Sequence, residues 1–170
     1  MLRLRPALAS VAVAAMFAVV ILPSTPLAFA ADPTTVETES MRISPLVGGA
    51  SLSDPTASAG GVLALWMNST ASKTLSLPYS PGVVIRAKGQ QCEGAPVMSV
   101  AVDGVYFATT SVSATSWTDY TASTTIPAGS HTIGISYSNQ YVSTACTRTL
   151  SMDKVTVLPS TTPSAVPTTS

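Results

Sequence analysis

The sequence predicts an all-β protein, a two-sheet β-sandwich of the jelly-roll type. Helical periodicity is nearly absent. Apolar and polar residues instead alternate in short runs, and Gly, Pro, Asn and Ser bound those runs. Eight or more such strands with no helix between them fit two packed sheets.

The strands can be read in order. "VLALWM" (62–67), "KTLSLPY" (73–79) and "GVVIRAKG" (82–89) follow one another closely, and the first strand is expected over Val36–Ile43. In "VMSVAVDGVYFATTSV" (97–112) Met98, Val100 and Val102 share a face, and Asp103-Gly104 marks a hairpin because both positions tolerate positive φ. "SHTIGISYS" puts His131, Ile133, Ile135 and Tyr137 on one face. The last strand slips phase: Leu150 and Met152 belong to one register, Val155 and Val157 to the other. A bulge at Asp153-Lys154 would absorb the extra residue and re-aim the Asp153 carboxylate towards the sheet edge.

The ends read differently. Arg3 and Arg5, the apolar run Ala7 to Leu22 and the Ala28-Phe29-Ala30 site make residues 1–30 a secretory signal peptide, so the mature chain is expected to be secreted. The apolar run is shorter than the roughly 20 residues of a membrane span, so no membrane association is expected of the mature form. Residues 159–170, "PSTTPSAVPTTS", read as a disordered Pro/Ser/Thr tail. The folded domain is expected over 34–158, as a monomer.

Charge is scarce, at 9% of residues, against about 25% in ordinary domains. Eight basic residues face eight acidic ones, and Arg3 and Arg5 would leave with the signal. No clustered Lys/Arg exists to displace counterions from a nucleic acid, which excludes that partner. Two cysteines, Cys92 and Cys146, on an exported chain imply one disulfide.

Enzyme chemistry finds few residues to work with. The only histidine, His131, alternates with core positions, and no Ser sits in a nucleophile elbow. Glu37 and Glu39 lie two apart on the expected first strand, which crowds them on one face rather than opposing them across a cleft as a glycosidase requires. If that strand lies beside the last, Glu37, Glu39 and Asp153 converge. Spacing alone leaves them as either ordinary exposed strand acids or ligands to calcium, which takes six to eight oxygens.

The segments "VETESM", "ASAGGVLALW", "VVIRAKGQQCEGAPVMSVAVDG", "SATSWTDY", "AGSHTIGISYSN" and "TRTLSMDKVTV" occur in one order. Together they resemble the calcium-dependent xylan-binding carbohydrate-binding modules of families 60 and 36, within the family 6 and 35 β-sandwich group of galactose-binding-like fold. The resemblance implies a jelly roll, a structural calcium at Glu37, Glu39 and Asp153, and a Cys92–Cys146 disulfide pinning the binding loop. It also implies a polysaccharide partner. Those modules place aspartates at the positions of Gln140 and Thr147 to help hold a second calcium that meets the sugar, and they have an Asn where Thr149 stands. Without these anionic ligands that site should be weak or absent, so calcium-bridged xylan binding is expected to be degenerate. Sugar would then meet Asn139, Gln140, Tyr141 and Thr147 directly, with Trp66, Tyr106 and Trp117 as further aromatic candidates. Trp117 and Tyr120 are expected to pack the sandwich, and Arg148 to pair with Asp119 or Glu93. Asn68-Ser69-Thr70 fits a glycosylation sequon. The other reading is a secreted structural or surface-interaction sandwich that binds no glycan.

Overall fold

The computed structural model describes residues 32–160. The expected signal peptide, and all but the first two residues of the expected tail, lie outside the described residues. Eleven strands form two antiparallel sheets: β1 (Thr34–Glu37), β2 (Arg42–Ser44), β3 (Gly49–Ser53), β4 (Gly61–Leu65), β5 (Ser69–Leu77), β6 (Ser80–Gln90), β7 (Val97–Val102), β8 (Val105–Ser111), β9 (Thr118–Ile126), β10 (Gly129–Tyr137) and β11 (Thr149–Val157). One sheet runs β3-β4-β11-β6-β9, with β1 also on β11; the other runs β2-β5-β10-β7-β8. The sandwich is as the alternation predicts. Leu63, Leu65, Ile85, Leu150 and Met152 of the first sheet and Met98, Val100, Ile133, Ile135 and Tyr137 of the second are buried in one core.

The Asp103-Gly104 hairpin forms with φ of 52° and 82°, the two positive values that a tight two-residue turn demands. Asp103 also accepts the Thr132 amide at 2.7 Å and meets His131 Nδ1 at 2.7 Å, so the lone histidine braces a turn.

The opening of the domain departs from expectation. Residues 36–43 are not one strand. β1 pairs with β11 in the first sheet, a 3-10 turn (Thr38–Ser40) follows, and β2 pairs with β5 in the second. Glu37 ends a strand and Glu39 lies in the turn, so the two do not share a strand face. Turning between sheets is what lets one short segment close both.

The phase slip in β11 is a real register shift against β6, between Met152 and Lys154. Asp153 does not reach a sheet edge, however. β11 is central, with β6 on one side and β4 then β1 on the other, and Asp153 sits where β4 hands over to β1. It is fully buried. The bulge takes backbone carbonyls out of the ladder, and the buried Thr38 hydroxyl meets two of them, at 2.5 Å from Met152 O and 2.9 Å from Asp153 O.

Candidate functional site

Two clusters sit on β11, one at the loop that leads into it and one at its bulge. The loop, 138–148, is held by the Cys92–Cys146 disulfide, whose Cα atoms are 5.7 Å apart. Its centre is Arg148, 8% exposed. Arg148 Nε donates to Cys92 O and Gly94 O (both 3.1 Å), Nη1 to Asn139 O (2.7 Å), and Nη2 to Cys92 O (2.8 Å) and to Glu93 O. The expected partners were carboxylates; among the described residues none pairs with this guanidinium. Carbonyls fill its donors instead, tying loop 138–148 to loop 91–96.

The expected sugar-contacting residues are placed together but not equally free. Asn139 is engaged at both ends of its amide: Oδ1 accepts from Val97 N (2.7 Å) and Nδ2 donates to Ala95 O (2.9 Å). Gln140 makes a reciprocal pair with Asn68, donating its backbone N–H to Asn68 Oδ1 (2.9 Å) while its Oε1 accepts from Asn68 N (3.2 Å). Asn68, first residue of the sequon, is therefore part of this rim. Thr147 is half-buried and bridges Val142 through the backbone. Tyr141 is 38% exposed, and its ring centroid lies 5.4 Å from the Arg148 guanidinium carbon, close enough for a cation–π contact.

The second cluster holds the expected metal ligands. Ser58 Oγ lies 2.9 Å from Glu37 Oε2 and 2.7 Å from Asp153 Oδ1, and Ser58 N donates to the same Oδ1 at 3.0 Å. Asp153 Oδ2 is 2.9 Å from Arg86 Nε, an ion pair not aimed as a hydrogen bond, since that oxygen has no aligned donor. Glu39 Oε2 is buried with no hydrogen-bond partner. Glu39 reaches its place because Gly61 has no side chain; a Cβ there would lie 3.0 Å from Oε1. Among the described residues no three His, Cys, Asp or Glu side chains stand together as a metal-holding group. Glu37 and Asp153 meet through Ser58, while Glu39 stands apart from them.

A model of family 60 of the carbohydrate-binding modules, described as Ca-dependent and xylan-binding, matches residues 82–170. The chain belongs to this family. The module also shares its fold with solved structures at low identity. The CBM36-1 domain of a multidomain xylanase, from the hindgut metagenome of Trinervitermes trinervoides, is 17% identical with a TM-score of 0.61, over 79% of this chain and 100% of that one. A CBM36 in complex with calcium and xylotriose is 19% identical with a TM-score of 0.53, over 72% and 97%. The Podospora anserina GH26-CBM35 β-(1,4)-mannanase is 18% identical with a TM-score of 0.59; 79% of this chain matches, spanning 29% of that one. None of the curated proteins matches.

In this family 60 module a third feature went unread in the sequence. The β3–β4 connection, 54–60, folds back as a strap over the outer face of the first sheet. Asp54 Oδ2 meets Lys88 Nζ at 2.6 Å, Thr56 Oγ1 accepts from Trp117 Nε1 at 2.9 Å, and Ser58 bonds Asp153. Lys88 Nζ lies 4.3 Å from the Trp117 ring centroid. Trp117 thus does not pack the sandwich; it lies outside the core and pins the strap, while Tyr120 does pack against the core. Bonding to Lys88 and Thr56 pulls the Asp54 carboxyl down to about 2. Tyr106 is on β8 of the second sheet, with its hydroxyl 2.8 Å from Ser136 Oγ, and Trp66 follows β4 half-buried.

Proposed function

We propose that this chain is a secreted, non-catalytic module, acting as a monomer, that recognises xylan-type plant-cell-wall polysaccharide at the 138–148 rim. The observation that carries the reading is the brace around Tyr141. Disulfide and guanidinium hold the loop rigid, so an aromatic face can meet a sugar ring with little ordering cost. A structural calcium on Glu37, Glu39 and Asp153 would start from the Glu37–Asp153 pair that Ser58 joins and would need the Glu39 side chain to swing in, since the three are not gathered as they stand. One hydroxyl proton on Ser58 cannot satisfy two carboxylates at once, and Glu39 Oε2 is buried with no donor; a divalent cation drawn in between them would supply the missing positive charge. At the rim no carboxylate replaces the aspartates, so the second, sugar-bridging calcium is degenerate. The non-catalytic reading draws support from the acids themselves. Asp54, Asp103 and Asp153 each face a basic partner, and the Thr132 amide and His131 lower the Asp103 carboxyl. The lowered Asp54 and Asp103 carboxyls do not carry the proton that glycoside hydrolysis needs from one of its pair.

Titration calorimetry with xylohexaose, in calcium and then in chelator, tests this. Weak binding that persists in chelator at a temperature well below unfolding is expected. Tight binding abolished by chelator would show a working second calcium. The engagement of both Asn139 and Gln140 by protein groups favours a second reading, a surface domain that binds no glycan; silence across a glycan array in both buffers would establish it.

A further inference from the structure

A groove of about 420 Å³ opens beside the strap, lined by Lys88, Gly89, Gln90, Gln91, Thr115 and Ser151. Its volume falls within the roughly 300–1,000 Å³ of small-molecule sites. Lys88 and Gln90 alternate on β6 and so face one side, and Ser151 is the β11 partner of Lys88. Behind the groove, on the buried face of β6, segment 112–117 packs close because residue 89 is glycine. A Cβ there would sit 2.2 Å from Val112 O and 2.8 Å from the Pro96 ring. Gly89 N donates to Ala114 O at 2.8 Å, and Gln91 Nε2 donates to Gly89 O, Val112 O and Ser113 O, which fixes that segment.

Polar groups left over line the groove as well as the rim. Asn139 is engaged at both ends of its amide and Gln140 at its side-chain oxygen, whereas no described residue accepts from or donates to the Gln90 side-chain amide or the Thr115 and Ser151 hydroxyls. Each can both donate and accept, as sugar hydroxyls also do. Lys88 is matched by Asp54, so the floor carries no net charge to select an acidic ligand.

We propose that this groove is a second glycan site, taking a neutral, hydroxyl-rich sugar chain without metal, through Gln90, Thr115 and Ser151, beside the Trp117–Lys88 stack. The inference rests on the chain being a glycan binder but not on the rim being its site. Xylohexaose titrated in chelator, followed by amide chemical shifts and calorimetry, separates the two. The variants are Tyr141→Ala and the triple Gln90→Ala, Thr115→Ala, Ser151→Ala, each first matched to the parent in thermal unfolding. Loss of three neutral hydrogen bonds should weaken binding roughly tenfold or more, with shifts at 88–91, 115 and 151, while Tyr141→Ala keeps that binding. If the triple variant titrates like the parent and Tyr141→Ala silences it, the groove is overturned and the rim reading stands. If the parent itself gives no shift in either buffer, both fall.

Discussion

β11 carries two clusters a few residues apart, and they are held in different ways. Around the bulge at Asp153 the acids remain, and they are joined to architecture: Asp153 touches Arg86 and Ser58, and its neighbourhood closes the handover from β4 to β1. Around the loop before Thr149 the side chains at Gln140 and Thr147 are uncharged, and the brace beneath is Cys92–Cys146 and Arg148. Charge that positions the sheets is costly to lose, because a buried partner is left unmatched. Charge that only grips a ligand can go without unfolding anything. The comparison teaches that the acids at the bulge are tied into the scaffold, whereas the rim is held by a disulfide and a guanidinium that need no carboxylate.

Breaking the brace should have the largest effect. Replacing Cys92 and Cys146 by Ser frees a chain segment of sequence separation 54. On the chain-entropy model this costs about 4 kcal/mol, to be read from urea unfolding. Next comes Arg148→Met, which removes the guanidinium donors from the carbonyls of Cys92, Glu93, Gly94 and Asn139. About 3 kcal/mol should be lost, on the scale of buried polar groups left unmade, and Tyr141 should become mobile in NMR relaxation. Any stabilisation by calcium should survive in both variants if the bulge site is independent of the rim.

The bulge end is tested by the ion. At a free calcium concentration 100 times its dissociation constant, a site formed only in the folded state adds about 2.7 kcal/mol. Chelator should lower the melting temperature accordingly, and Glu39→Gln should abolish the response without touching the rim. A response that persists in Glu39→Gln would remove that residue from the site.

The smallest effect concerns the strap. Asp54 is held at about 2 from an ordinary 3.8. A lowered carboxyl stabilises the fold above its unfolded value, and that contribution is lost as pH falls through the folded one. Melting temperature should therefore drop between about pH 4 and pH 2 through this group, and Asp54→Asn should flatten that part of the profile while lowering stability modestly at neutral pH.

Much of the sandwich was legible because its core strands alternate. Met98 with Val100, and Ile133 with Ile135, fall on the buried face as the period of two requires. The slip between Met152 and Val155 gave the bulge. Its direction was not legible, since a pattern within one strand says nothing about which neighbours flank it. β3 and β9 left little signal: "GASLS" and "TDYTASTTI" are mostly small and hydroxylated, and strand pairing rather than side-chain pattern defines them. The 3-10 turn at Thr38 was missed for a related reason. "VETESM" reads as strand until both sheets compete for its ends.

At the candidate site, position in the loop was legible but availability was not. Asn139 and Gln140 were placed in the loop correctly, yet which polar atoms face the protein depends on Val97, Ala95 and Asn68, all distant in sequence. The strap was hidden entirely, because Asp54, Thr56 and Ser58 find partners 34, 61 and 95 positions away.

Thr34 stands opposite Val157 in an antiparallel pair, so the chain enters and leaves the sandwich side by side, at the other end of β11 from the rim. Tension applied through the two ends would load that pair first, then each next rung in turn, because antiparallel hydrogen bonds lie across the strands. The domain would open like a zipper rather than resist in shear, and a force of that kind would release β1 from β11 next to the acid cluster while the disulfide still held the recognition end together.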